Sequence, residues 1–273
     1  MPAIPTSITE DDFKIYVEPY LNKAKRGYVC KVSLDKIFNA ILDKLYTGCQ
    51  WKMLKLEEEV SKLLTWQAIY WHFRKWSRDG SLEAVWQNSL EKIKKNEDFS
   101  ELELDGSQTI AKKGGEEVKY QSRKKAKTTN LLFITTKKGS VVGISEPISG
   151  NHHDSFEIKA KMKQLCKEIK TVLKTQVSVC MNADSGFDNK GLRKYLFNHH
   201  IKPNIKENPR NRKKAKRGRK REFNEESYKN RFVIERTFAW LDKFRTLVIR
   251  YERKTSFWLG FHFIALTLLN MKV

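Results

Sequence analysis

Hydrophobic periodicity changes near residue 96, and this change restricts the possible folds more than any other feature of the chain. Beyond it, short apolar runs bounded by turn residues predict strands, and helical spacing separates the later runs. The predicted strands cover residues 101–105, 131–136, 141–144, 177–183 and 201–205. A helix is expected after each of the last three. The order β-β-β-α-β-α-β-α therefore predicts an α/β domain over residues 96–273.

Polar residues predict where two of these helices begin. Asp154 or Ser155 is the expected N-cap of the helix that follows the third strand, because short polar side chains accept the free N–H groups there. Asp188 is the expected N-cap of the next helix, at about residues 188–199.

Residues 1 to about 95 show helical spacing, with one helix ending near Gly48 and another stopping at Asp79-Gly80. Basic residues beside an aromatic stripe on the second helix are typical of a helix-turn-helix-like DNA-binding module. A small helical bundle whose aromatic residues only form its core explains the pattern equally well. We expect four tryptophans to be core: Trp51, Trp66, Trp71 and Trp76.

The charge of the chain indicates a polyanionic partner. Lys and Arg number 54 against 32 Asp and Glu, which gives a formal charge of +22. Nine of the twelve residues from Arg210 to Arg221 are basic, within a predicted basic linker at about 207–226. Such a block is expected to be solvated until it meets phosphate, although a localisation signal can have the same composition.

Cysteine spacing and the chain ends predict a cytosolic protein. The four cysteines form no CxxC pair, so neither a zinc site nor a disulfide framework is expected. The start of the chain lacks the pattern of a secretion signal. The apolar stretch from Phe257 to Met271 contains Gly260, His262 and Asn270, which favours a buried terminal helix over a membrane span.

Three acidic residues are the best candidates for chemistry. Asp105 and Asp184 each stand where an apolar, strand-like run gives way to a glycine-containing turn, whereas Glu235 lies in a helical pattern. Oxygen ligands from three separate elements can hold Mg²⁺ while leaving positions open to a phosphate and a nucleophile. Glu235 can instead form an i, i+4 surface pair with Arg231.

The last predicted helix has one polar stripe on an otherwise apolar surface. The stripe consists of Tyr228, Arg231, Glu235 and Asp242. A stripe of this kind is expected of a helix that forms the wall of a solvent-filled active site. The adjacent His152 and His153 are interpreted as structural or DNA-facing, because Mg²⁺ prefers oxygen ligands.

Several segments, in the same order, resemble DDE transposases of bacterial insertion sequences, in particular the fifth insertion-sequence family within the wider fourth-family fold group. The matching segments are Leu104-Asp105-Gly106-Ser107, residues 111–130, Ser149-Gly150-Asn151-His152-His153-Asp154, Asn182-Ala183-Asp184-Ser185-Gly186-Phe187-Asp188, and residues 231–241. Thr47-Gly48-Cys49-Gln50-Trp51 and residues 66–76 resemble the N-terminal module of the same group.

The resemblance implies a ribonuclease-H-like catalytic domain with a mixed sheet at 96–273, preceded by a small all-helical module at 1–95 that recognises the element's ends. Asp105, Asp184 and Glu235 would be the catalytic residues and the ligands of two Mg²⁺ (or Mn²⁺) ions. The reaction would be metal-dependent DNA cleavage and strand transfer. The partners would be terminal inverted repeats and target DNA, bound by a homodimer or larger synaptic complex that is cytoplasmic, nucleoid-associated and not membrane-bound.

The DNA contacts are expected in three places. The family's helix signature has Tyr, Arg, Glu and Lys at fixed spacing; Tyr228, Arg231 and Glu235 fit it, whereas Asp242 stands at the Lys position and Lys243 is the nearest cation. The other expected contacts are in a basic loop at 119–127 and in the linker: Arg123, Lys124, Lys125, Lys127, Arg217, Arg219, Lys220 and Arg221.

Two other functions share these features. A ribonuclease-H-like nuclease without strand transfer needs the same acids, although the front module and the number of matching motifs argue against it. A DNA-binding relative without catalysis would be favoured by the loss of any of the three acids, and all three are present.

Overall fold

The computed structural model describes residues 4–23, 30–170, 173, 178–211 and 221–271. Its helices are α1 (Glu10–Tyr16), α2 (Leu34–Thr47), α3 (Glu58–Ser61), α4 (Trp66–Arg78), α5 (Ser81–Asn96), α6 (Ile158–Leu165), α7 (Lys190–Asn198), α8 (Glu225–Lys229), α9 (Phe232–Leu241), α10 (Arg245–Val248) and α11 (Thr255–Met271). Its strands are β1 (Glu101–Ala111), β2 (Lys119–Gln121), β3 (Ala126–Thr136), β4 (Val141–Ile144), β5 (Ile148–Ser149), β6 (Val179–Ala183), β7 (Ile201–Ile205) and β8 (Ile249–Arg250).

The chain divides into two compact units that are discontinuous in sequence. The helical unit comprises residues 1–93, 109–116 and 240–273, and the sheet unit comprises residues 94–108 and 117–239. The helical unit therefore includes two later segments, 109–116 and 240–273, whereas the predicted functional division at residue 95 is a single boundary. The assignment of 1–95 to end recognition and of 96–273 to catalysis stays a prediction.

The helical unit has an apolar interior in which α11 packs against α4 and α2. The predicted helix ends are confirmed: α2 is followed by Gly48 in the left-handed region at φ 66°, and α4 is followed by Asp79. The predicted burial of the terminal apolar stretch is also confirmed, since nearly all of α11 is buried. None of the helices in the described ranges has the length and hydropathy that a membrane crossing needs.

The predicted tryptophan core is only partly correct. Trp76 is buried at 2% exposure, and Trp51 is half-buried with its ring 5.4 Å from that of Phe73. Trp66 is half-buried, but Trp71 is 54% exposed, so its assignment to the core is wrong. The reason is the helical period: α4 buries Ile69, Phe73 and Trp76, and Trp71 lies outside that face.

The sheet unit contains a mixed sheet in which the strand order is β2-β3-β1-β6-β7. β1, β6 and β7 are parallel, whereas β2, β4 and β5 each pair with β3 in antiparallel fashion. The helices α6 and α7 pack on each other, and α7 also packs on β7. The predicted mixed α/β architecture behind a helical region is confirmed.

The helix N-caps predicted for the sheet unit are wrong. Asn189, not Asp188, caps α7, since its side chain accepts from the N–H groups of Gly191 and Leu192. Neither Asp154 nor Ser155 caps α6, which begins three residues later behind Glu157 at φ 49°.

Two larger elements also differ from prediction. The basic segment 119–127 is not a loop: β2 and the start of β3 form a hairpin there, with Lys127 paired opposite Tyr120. The last predicted helix is two helices, α8 and α9, with turns at Asn230 and Arg231. The polar stripe of Tyr228, Arg231, Glu235 and Asp242 therefore does not lie on one continuous helix.

Candidate active site

The register of the parallel strands places two of the predicted acids side by side. β1 and β6 pair with Leu104 opposite Ala183, so the next residues, Asp105 and Asp184, stand at the same level of adjacent strands. Neighbouring strands are about 4.8 Å apart. The Asp184 carboxylate contributes to a raised pKa of Asp105, as expected of two acids at this spacing.

Asp105 is a partly buried acid at the centre of the site, with a side chain 21% exposed. Burial is the main cause of its raised pKa, and the charges of Asp184 and Asp154 add to it. Two contacts act against this rise. The N–H of Gly106 donates to Asp105 Oδ1 at 2.8 Å, and Arg231 Nη1 lies 3.5 Å from Oδ2.

Arg231 connects the first and third predicted acids. Its Nη1 contacts Asp105 and its Nη2 lies 3.6 Å from Glu235 Oε1. The Arg231 side chain is 17% exposed, whereas that of Glu235 is 67% exposed. The i, i+4 ion pair between Arg231 and Glu235, considered from the sequence, is therefore present. The same Arg231 guanidinium also contacts Asp105.

A fourth acid, which sequence analysis considered only as a helix cap, belongs to the same group. Asp154 is so near Gly106 that a Cβ on that glycine would lie 2.9 Å from Asp154 Cγ. Burial raises the pKa of Asp154, while His153, Arg123 and Lys124 oppose the rise. Asp154 is the last residue of the family-like motif at 149–154, but no local sequence pattern indicates that it lies close to Gly106.

A buried polar network underlies the two strand-end aspartates. Asn182, two residues before Asp184, donates to Glu103 Oε1 at 2.8 Å and to Ser227 Oγ at 3.1 Å. Asn204 on β7 donates to Asn182 Oδ1 at 2.6 Å. Burial raises the pKa of Glu103 to about 7, although the bond from Asn182 opposes the rise. These bonds join β1, β6, β7 and α8, and sequence analysis did not identify them.

The predicted metal site is not assembled by the protein alone. Among the described residues, no group of three or more His, Cys, Asp or Glu side chains is gathered at metal-binding distances. The donor set nevertheless fits a hard cation, because Asp105, Asp184 and Glu235 offer only oxygen. Glu235 is exposed enough to turn, and Arg231 supplies the positive charge beside Asp105.

The residues predicted to contact DNA lie in several different parts of the structure. Tyr228 and Arg231 lie at the acids: Arg231 Cζ is 5.8 Å from the Tyr228 ring, and burial is the main cause of a raised Tyr228 pKa. The exposed residues Arg123, Lys124 and Lys125 lie in the turn of the β2–β3 hairpin, and Lys127 is the second residue of β3. Lys124 Nζ donates to the Gln108 carbonyl at 2.8 Å.

The remaining predicted contacts lie further along the chain. Lys243 is exposed in the helical unit. Arg221 Nη1 is 3.1 Å from Asp188 and 3.5 Å from Glu207, so acidic partners already compensate its charge. Arg217, Arg219 and Lys220 lie outside the described residues.

Two family models match the chain, one after the other. A model for a transposase family of IS4/5 type matches residues 9–86. A model described as a transposase DDE domain matches residues 98–270. Comparison with curated proteins finds no matching sequence.

Solved structures of transposases are similar at low identity. The piggyBac transposase synaptic complex with hairpin DNA is 10% identical, with 97% of this chain and 72% of that chain covered and a TM-score of 0.46. The catalytic domain of Mos1 mariner transposase is 13% identical, with 67% and 88% covered and a TM-score of 0.30. The Mos1 mariner paired end complex with Mn is 12% identical, with 89% and 78% covered and a TM-score of 0.30.

Proposed function

Because the chain belongs to the DDE transposase family, we propose that it binds the ends of an insertion sequence and catalyses metal-dependent DNA cleavage and strand transfer. The mixed sheet, with strand order β2-β3-β1-β6-β7, supports the ribonuclease-H-like class predicted for the catalytic domain. One observation supports the proposed chemistry most directly. The β1–β6 register sets Asp105 and Asp184 side by side, and Arg231 links Asp105 to Glu235.

Asp105, Asp184 and Glu235 would hold Mg²⁺ or Mn²⁺, with two ions expected. Two divalent ions held there would supply activation of an attacking water or 3′-hydroxyl and stabilisation of the departing oxygen. The residues themselves prepare the site: the polar network fixes the strand ends, and the partial burial of Asp105 strengthens its interaction with a cation. Glu235 would turn from Arg231 to complete the site.

Arg231 and Tyr228 would then face the phosphate. A guanidinium released from Glu235 can make a forked contact with phosphate oxygens. Arg231 Cζ also lies over the Tyr228 ring, 5.8 Å from its centroid, and this cation–π contact favours that position of the guanidinium. We therefore assign both residues to positioning the scissile phosphate.

The surrounding basic residues would hold the DNA through its backbone. The charges of Arg123 and Lys124 in the hairpin turn oppose the rise in the pKa of Asp154, so the turn adds positive potential at the acids. Lys127, Lys243 and the linker would each also contact the backbone of inverted repeats or target DNA. Two ends must be joined together, which favours a homodimer or larger synaptic complex. The front module would recognise the ends, and the protein would act in the cytoplasm at the nucleoid.

The test is to replace each acid with Ala and measure cleavage and joining of DNA that carries the inverted repeats flanking the gene. Each of Asp105→Ala, Asp184→Ala and Glu235→Ala should lower cleavage by more than about 100-fold, because a metal ligand is lost. DNA affinity should change little. Glu226→Ala is the matched control, since Glu226 is an exposed acid on the preceding helix α8.

The outcomes separate the possible functions. Near wild-type cleavage by one Ala variant would show that its acid is misassigned. Cleavage without joining by the wild-type protein would indicate a nuclease. Binding to the ends without cleavage in either Mg²⁺ or Mn²⁺ would indicate a DNA-binding relative that lacks catalysis.

A further inference from the structure

A basic groove lies between α6 and α7, on the layer that covers β7. It encloses a cavity of about 680 Å³, and four lysines line it: Lys159, Lys163, Lys170 and Lys194. Lys159 and Lys163 are one helical turn apart on α6, and Lys194 faces the groove from α7. The lysines of two elements therefore converge on one concave surface.

The groove extends to the end of the sheet opposite the acids. β6 and β7 are parallel, and Ile201, which lines the groove, pairs with Val179 at their amino ends. Asp184 follows the last pair, Ala183 with Ile205, at their carboxyl ends. Four residues of strand separate the two levels by about 13 Å. This end of the groove is thus distinct from the candidate active site.

The positive charge of the groove is not compensated. Within the described part of the chain, none of these four lysines forms an ion pair, and no acidic residue lines the cavity. Arg221 shows the contrast, because Asp188 and Glu207 neutralise it. A concave surface of one sign concentrates its field and attracts a polyanion.

The chemistry of the groove favours phosphates over bases. Lysine is a point charge on a flexible stem, which suits phosphate oxygens but reads base edges poorly without a fixed geometry. The floor between the lysines is apolar, with Cys166 and Tyr195 both buried. An apolar floor under a cationic rim can accept the sugar face of a backbone while the lysines contact its phosphates.

We propose that this groove binds backbone phosphates of duplex DNA several base pairs away from the scissile phosphate. The proposal rests on the proposed function, which supplies the DNA. The groove would be a second, sequence-independent binding site for the duplex. Only DNA long enough to reach the groove would therefore bind more tightly because of it.

The experiment neutralises two facing lysines in the full chain, as Lys163→Gln/Lys194→Gln. The matched control is Lys161→Gln/Lys167→Gln, which removes the same charge from α6 and the turn after it without altering the residues that line the cavity. Affinity for labelled random-sequence duplexes, one short and one several helical turns longer, is measured against NaCl concentration.

For the longer duplex, the slope of log affinity against log salt should become shallower by about 2 in the groove variant. The control should keep the wild-type slope, and the short duplex should show no difference between the variants. Lys163, Lys167 and Lys194 are exposed and Lys161 is partly exposed, so the substitutions should not affect folding. Equal melting temperatures of the variants and the wild type will check this.

An unchanged slope in the groove variant would overturn the proposal, as would an equal loss in the control, which would indicate diffuse attraction to the whole basic surface. A change in self-association with no change in slope would indicate an acidic protein surface as the occupant. The Asp184→Ala variant separates this result from the proposed function. It should lose cleavage while keeping the wild-type slope, and retained cleavage would refute the catalytic assignment without affecting the groove.

Discussion

The interior of the helical unit combines aliphatic side chains with stacked aromatic rings, whereas the interior beneath the acids of the sheet unit contains amides, a hydroxyl and a carboxyl. In the first, Phe73 and Phe261 stack with ring centroids 4.2 Å apart. In the second, Asn182 bonds to Glu103 and Ser227. Burial of apolar side chains contributes much stability but does little to fix their orientation, because its free energy depends mainly on the area removed from water.

Hydrogen bonds add less net stability, but they require defined partners at defined angles. Asn182 contacts residues of β1, β7 and α8, and it precedes Asp184 by two residues. The core of the helical unit therefore mainly provides stability, whereas part of the core of the sheet unit fixes the strand that carries an acid. Three substitutions test this difference.

The largest effect on stability is expected from Phe261→Ala in the helical unit. Phe261 is fully buried and stacks on Phe73, so its removal should lower the free energy of unfolding by about 3–5 kcal/mol. Denaturant unfolding measures the loss. Phe197→Ala is the control, since Phe197 is 77% exposed and should change stability by less than about 0.5 kcal/mol. Equal losses in both variants would contradict the assignment of stability to the aromatic core.

Asn182→Ala should have a smaller effect on stability but a larger effect on the site. The substitution leaves Glu103, Ser227 and Asn204 without a shared partner, which should cost about 2–3 kcal/mol. DNA cleavage per folded molecule should also fall, unlike in Phe261→Ala. Asn198→Ala, at an exposed position on α7, provides the control. Normal cleavage by folded Asn182→Ala protein would refute the positioning role of the network.

The smallest effect is expected from Glu103→Gln and should depend on pH. Glu103 in the folded protein keeps its proton up to a pKa of about 7, whereas the unfolded chain loses it near 4.5. The folded state therefore binds more protons between these values, and wild-type stability falls as pH rises through this window. Glutamine stays neutral and can still accept from Asn182.

The Glu103→Gln variant should equal the wild type near pH 4.5 and be about 1–3 kcal/mol more stable at pH 8. Thermal or denaturant unfolding in metal-free buffer at the two pH values checks this expectation. Glu226→Gln, an exposed substitution, should show no such dependence. A stability difference that is constant with pH would mean that Glu103 is ionised in the folded protein.

Much of the fold was predictable because strands and helices leave periodic signals. The ends of α2 and α4 were predicted correctly from Gly48 and from Asp79-Gly80. The β2–β3 hairpin was not, since its turn contains Arg123, Lys124 and Lys125 in place of the glycine and asparagine that mark such turns. The break before α9 was also missed, because the sequence around Asn230 and Arg231 keeps the spacing of a helix.

Three properties can be read from the sequence without the fold: Asp105 and Asp184 end strand-like runs, Glu235 follows Arg231 by one helical turn, and the chain carries a charge of +22. These are properties of local order along the chain. Three other properties are visible only in the folded chain: Leu104 pairs with Ala183, Asp154 lies close to Gly106, and Asn182 donates hydrogen bonds to Glu103 and Ser227. These contacts join residues that are 45 to 79 positions apart in the sequence. Such residues come together through the packing and register of the whole sheet, which the pattern of one segment does not specify.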